Sequence, residues 1–141
     1  MKILHISDSL GERKALSQLL FSRADVLVHS GSFTQNGTRD EVLAFFDWVT
    51  GLKHFKQVII VPGSRDWFVA KMLRHERLKQ VFWPKGVHFL VSSGVEIDGV
   101  KFWGSPATPW FIEGAFKQQQ KPQMGWGEIP NDTQVLITHG P

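Results

Sequence analysis

The stretch QVIIVPGSRDWF, residues 57–68, decides the fold. Its apolar run Val58-Ile59-Ile60-Val61 reads as a buried strand. Pro62-Gly63 breaks that run, since proline lacks an amide donor and glycine turns freely. Ser64, Arg65 and Asp66 follow, and DWFVAKMLRHERLKQVF (66–82) then carries the spacing of one helix, with Asp66 near its start. Polar groups therefore stand at the carboxyl end of a buried strand, where open α/β sheets place their ligand sites.

The chain on either side has the same rhythm. KILHIS (2–7) predicts a first strand, short and buried, ending at the polar turn Asp8-Ser9. ERKALSQLLFS (12–22) spaces Ala15, Leu16, Leu19 and Leu20 as a helix does. DVLVHSG (25–31) is a second buried strand. TRDEVLAFFDWVTGL (38–52) predicts a helix with Thr38 as N-cap and Val42, Phe45, Phe46 and Val49 on its apolar face. Strands alternating with helices imply βαβ units and a parallel sheet. After Gly86, VHFLVSSGVEIDGVKFWGSP (87–106) predicts short strands around turns at Ser93-Gly94 and Asp98-Gly99, the second a hairpin signal. An aromatic-rich irregular segment leads to a last apolar run, QVLITHGP (134–141). No repeat or linker divides the chain, so residues 1–141 are expected to form one domain.

Composition narrows the function classes. Of the 141 residues, 42% are hydrophobic and 21% charged, which suits a globular domain with a substantial core. The net charge of +3 tolerates an anionic partner. The basic residues form no stripe, however, and nucleic acid is not expected. Cysteine is absent, so thiolate chemistry is excluded. No run approaches the roughly 20 apolar residues of a membrane span. Without a leader-like start, the expectation is a cytoplasmic chain with no membrane partner.

Four apolar runs end in polar or glycine-bearing corners: ISDSLG (6–11), HSGSFT (29–34), PGSRDW (62–67) and THGP (138–141). These corners, with LVHSGSFTQNG (27–37), WGSPATPWF (103–111) and ITHGP (137–141), resemble the calcineurin-like metallophosphoesterases, in particular their small single-domain branch. The resemblance spans the chain. It implies an α/β fold: a metallophosphoesterase-like β-sandwich with flanking helices, βαβαβα followed by short mixed strands. It also implies phosphodiester or phosphomonoester hydrolysis with two divalent metals such as Mn, Fe, Zn or Mg, which polarise the phosphoryl group and supply a hydroxide.

That family's corners read Asp-x-His, Gly-Asp, Gly-Asn-His-Asp/Glu and His-Gly, with a later Gly-His-x-His. Here Asp8 matches the first ligand and His139 the fourth-corner ligand. Leu10 replaces a histidine, Ser32 the bridging aspartate, Ser64 an asparagine and Arg65 the catalytic histidine. The last pair would lie past Pro141, so the resemblance implies a C-terminally shortened fold. Asp8 and His139 serve different metals in the family, and Arg65 adds a fixed positive charge. The expectation is therefore a degenerate metal site holding no metal, and a phosphoesterase-like chain with little or no hydrolase activity. Natural drift and deliberate redesign both produce such a pattern. The missing strands also imply an exposed edge near Val135–Thr138, open to pairing with a second copy.

Several residues keep two readings. Asp8 is a residual ligand or a turn cap, and His139 a residual ligand or a structural histidine. His5 and His29 read as core or half-buried. Asp66 reads as an acid favoured by the helix dipole. Arg65, Ser64 and Ser32 form a candidate metal-free site for a phosphate or nucleotide-like anion; the alternative is a solvated arginine. Trp103, Trp110 and Phe111 either line a substrate cleft or cover a core edge.

Overall fold

The computed structural model describes residues 1–19, 23–109, 113–118 and 126–140. In chain order the elements are β1 (Ile3–Ile6), α1 (Arg13–Leu19), β2 (Val26–His29), α2 (Arg39–Thr50), β3 (Gln57–Ile60), α3 (Trp67–Leu73), α4 (Glu76–Phe82), β4 (His88–Phe89), β5 (Ser93–Ile97), β6 (Val100–Ser105), a 3-10 turn (Trp126–Glu128) and β7 (Val135–Thr138). The first sheet has the order β1-β2-β3-β4, all pairs parallel. The second has the order β5-β6-β7, with β5 antiparallel and β7 parallel to β6.

Alternation along the central strands builds two cores. Leu27, Val58 and Ile60 face the helices, where Val42, Phe45, Phe46 and Val49 of α2 join Val69 and Met72 of α3. Val26, Val28, Ile59 and Val61 face the second sheet and meet Ile97, Phe102 and Ile137. Both faces of the central strands β2 and β3 are covered, hence their near-continuous apolar runs. Each fully buried aliphatic side chain stabilises the fold by about 1.5–3 kcal/mol. The metallophosphoesterase-like α/β arrangement expected from the sequence is the arrangement found.

Helix α2 starts as its sequence predicts. Thr38 and Glu41 form a capping box, and the Glu41 carboxylate also accepts from the Gln35 and Asn36 amides. The Asp98-Gly99 hairpin turn is likewise present, with positive φ at both residues (49° and 79°).

Four expectations need correction. β1 is not buried: it is the edge of its sheet, and Ile3 is 42% exposed. His5 shares that open face and is exposed, lining a groove of about 380 Å3 between β1 and β7. The single helix over 66–82 is two helices, with His75 extended between them. Leu73 and Leu78 are five residues apart, which turns them to different sides of a straight helix, and the break lets both pack on the core. Finally, Ser93-Gly94 lies inside β5, and the turn comes one residue earlier at Ser92 (φ 46°).

Candidate functional site

Because β1, β2 and β3 are parallel and in register, their carboxyl ends reach one edge of the sheet. The first corner is laced to the second by backbone bonds: Asp8 N to Gly31 O at 2.9 Å, Leu10 N to Ser32 O at 3.2 Å and Gly11 N to Phe33 O at 3.0 Å. Asp8, Leu10 and Ser32 adopt positive φ of 50°, 47° and 53°, a conformation that costs non-glycine residues of order 1–3 kcal/mol and persists where surrounding bonds enforce it.

The second and third corners touch because Gly31 and Gly63 carry no side chains. A Cβ on Gly63 would stand 2.2 Å from the Ser32 amide nitrogen and 2.6 Å from the His139 ring. Asp66 locks the same contact. Its carboxylate is wholly buried and accepts from Ser32 N (3.0 Å), Gly63 N (2.7 Å), Thr34 N (3.1 Å) and Thr34 Oγ1 (2.8 Å). Burial pushes this carboxyl up to about 6, while the donors from Gly63, Thr34 and Ser32 pull the other way. Asp66 does stand at the start of α3, but its side chain makes no cap bond to that helix. That place at the helix start is the one expected, and the carboxylate also clamps the corners together.

β7 brings the fourth corner to the same edge from the other sheet. His139 Nδ1 lies 2.8 Å from the Ser30 carbonyl oxygen. A carbonyl only accepts, so the neutral ring carries its proton on Nδ1 and presents the lone pair of Nε2. That atom is 3.2 Å from both Ser32 Oγ and Ser64 Oγ, which are themselves 3.3 Å apart. Ser32 is 1% exposed, whereas Ser64 and His139 are half-buried. The Ser64 carbonyl accepts from Ala115 N at 2.8 Å, which fixes Ser64 beneath the loop at 113–116.

Arg65 stands apart from this cluster. Its carbonyl accepts from Thr34 Oγ1, and its exposed guanidinium donates to the Gln35 carbonyl at 3.1 Å. Trp103 also lies elsewhere. Phe102 points into the core between the sheets, so Trp103 takes the opposite face of β6, against its cross-strand neighbour Gly94. Trp110 and Phe111 lie outside the described residues.

His29 is a core histidine, as expected. Its ring packs edge-on against Phe33 and Phe45 at centroid distances of 5.8 and 5.3 Å. Nδ1 accepts from Gly31 N at 3.1 Å, so Nε2–H donates to Ser9 Oγ at 2.9 Å. Burial lowers its pKa to about 3.

Sequence reasoning brought the right corners together but missed three parts of the site: the Asp66 clamp, the Ser30 carbonyl that sets the His139 tautomer, and the Ala115 amide above Ser64. The glycine of each corner was the available signal for close approach. The backbone partners had none.

No family model matches the chain. A UPF0046 protein of Caenorhabditis elegans is 34% identical over all of this chain and 51% of its own length. Metallophosphoesterase domain-containing protein 1 of Homo sapiens is 28% identical over 83% of the chain and 42% of its own length. A protein of Emericella nidulans named "Probable rhamnogalacturonate lyase C" is 30% identical over 83% of the chain, but the match covers only 12% of that protein. The chain thus spans about half, or less, of the length of these relatives. With the parallel sheet, the second sheet behind it and the four converging corners, the similarity to these relatives supports a metallophosphoesterase-like family.

Proposed function

We propose that this chain keeps the phosphoesterase frame but has little or no metal-dependent hydrolase activity, and that its corner receives a phosphate-like oxyanion without metal. The observation that carries this reading is the convergence of the Ser32 and Ser64 hydroxyls on His139 Nε2, in a cluster with no carboxylate. Two adjacent cations need anionic ligands between them, and neutral hydroxyls do not offset their repulsion. The donor set does not fit such a centre. The Leu10 side chain offers no ligand atom, His139 Nδ1 is held by the Ser30 carbonyl, and the buried Asp66 carboxylate is spent on the donors of Ser32, Gly63 and Thr34. Among the described residues no three His, Cys, Asp or Glu side chains converge as a metal site.

Two measurements test this. Turnover of bis(p-nitrophenyl) phosphate should not rise with added manganese; robust turnover abolished by a chelator would overturn the proposal. Titration with inorganic phosphate should show saturable binding, weakened about tenfold in Ser64→Ala, the loss of one hydrogen bond to a charged ligand. Arg65→Ala should matter less, because that guanidinium is turned to Gln35. Binding that depends on Arg65 alone, or no saturable binding, would reject the anion site.

A second copy of the chain is the partner we assign to β7. Among the described residues this strand is the edge of its sheet, its Leu136 is 49% exposed, and such an edge templates another strand. Sedimentation should show a concentration-dependent dimer that Leu136→Lys weakens. A monomer at every concentration would refute it.

A further inference from the structure

We infer that Ser64 and His139 form a metal-free nucleophile–base pair able to accept acyl groups from activated carboxylic esters. The inference rests on the metal-free reading of this corner and extends it from binding to chemistry.

A serine hydroxyl becomes a useful nucleophile when a neutral imidazole can take its proton and a third group holds the ring in the right tautomer. All three parts are present. The Ser30 carbonyl holds the proton on Nδ1, and Nε2 is free to act as base. Ser64 Oγ sits 3.2 Å from Nε2, within the reach that proton transfer requires. Ser32 lies at the same distance, but it is 1% exposed and its backbone is fixed through Asp66. It therefore serves as a positioning residue, its hydroxyl bridging Ser64 and the ring. Ser64 is half-buried and thus the more exposed of the two, so it is the hydroxyl assigned as nucleophile.

In the step, Ser64 Oγ attacks the ester carbonyl carbon and a C–O bond forms, while the hydroxyl proton passes to His139 Nε2. The bond to the leaving alcohol breaks, and that oxygen takes the proton from Nε2. Water, deprotonated by the same nitrogen, then attacks the acyl-serine, releasing the acid and returning the proton to Ser64.

The test is acetylation by p-nitrophenyl acetate in the presence of a chelator, with the modified residue located by peptide mass spectrometry. One acetyl group on Ser64 is expected, absent in Ser64→Ala and formed about 100-fold more slowly in His139→Gln, as loss of a general base predicts. Because the chain has no cysteine, Ser64→Cys gives a second readout if the histidine variant folds poorly. Its thiol should be alkylated by iodoacetamide faster than in the Ser64→Cys, His139→Gln double variant or the unfolded chain. Acetyl groups only on Ser32 or on lysines, or equal rates with and without His139, would overturn the pair. Acetylation that needs manganese would overturn the metal-free reading too, whereas no acetylation in a protein indifferent to manganese would overturn the nucleophile alone.

Discussion

Asp66→Ala should destabilise the domain by about 3–5 kcal/mol, a large share of the 5–15 kcal/mol that holds a typical domain together. The carboxylate is wholly buried and accepts from the amides of Ser32, Thr34 and Gly63 and from the Thr34 hydroxyl. Alanine would leave these donors facing an apolar gap, and each orphaned buried donor costs about 1–3 kcal/mol before relaxation. Burial of the charge has its own cost, which is why the carboxyl is pushed up to about 6. Deleting the acceptor does not recover that cost, because the donors stay desolvated. Asp66→Asn should lose roughly half as much: its amide keeps one oxygen for two donors but turns an NH2 toward the others. Urea unfolding at pH 7.5, with slope unchanged and midpoint shifted, checks both variants. A loss under about 1 kcal/mol in Asp66→Ala would mean water replaces the carboxylate.

The roles of Asp66 and His139 show where the sequence is legible. Val26–His29 and Gln57–Ile60 are apolar on both faces, and that alone places them at the centre of a parallel sheet. The Thr38–Glu41 capping box is written in four consecutive residues and forms as written. The local context of Asp66, just before an apolar helix, announces a helix-start acid but not its clamp between corners. Apart from Gly63, its partners Thr34 and Ser32 lie 32 and 34 residues away, and only the contact between corners brings them near. β1 has the apolar look of β2, yet composition says nothing about which strand takes the edge. At the site, the four corners were identifiable from their glycines and polar residues. The lone pair of His139 was not, since a main-chain carbonyl fixes it, and every residue has one.

His29 predicts how the domain responds to acid. Its ring lies between Phe33 and Phe45, and burial lowers its pKa from 6.5 to about 3. The unfolded chain therefore binds a proton that the folded chain refuses between these pH values. Folding stability from this group is complete above pH 6.5 and is lost as the pH falls, by about 1.4 kcal/mol per unit, or about 5 kcal/mol by pH 3. Asp66 acts in the opposite sense. Its folded pKa is raised from 3.8 to about 6, so its contribution grows as the pH falls through that window. The two nearly cancel there in the parent protein, and a simple pH-stability profile would hide both. The difference between the parent and His29→Asn removes the Asp66 contribution, which both proteins share. The asparagine keeps an acceptor for Gly31 N but has no proton to gain. The parent's advantage over this variant should shrink by about 1.4 kcal/mol for each pH unit below 6.5. A difference that stays constant from pH 7 to pH 5 would show that a charged imidazole is accepted inside the aromatic cluster. The Gly31 N to Nδ1 bond, which protonation must break, would then not constrain the ring.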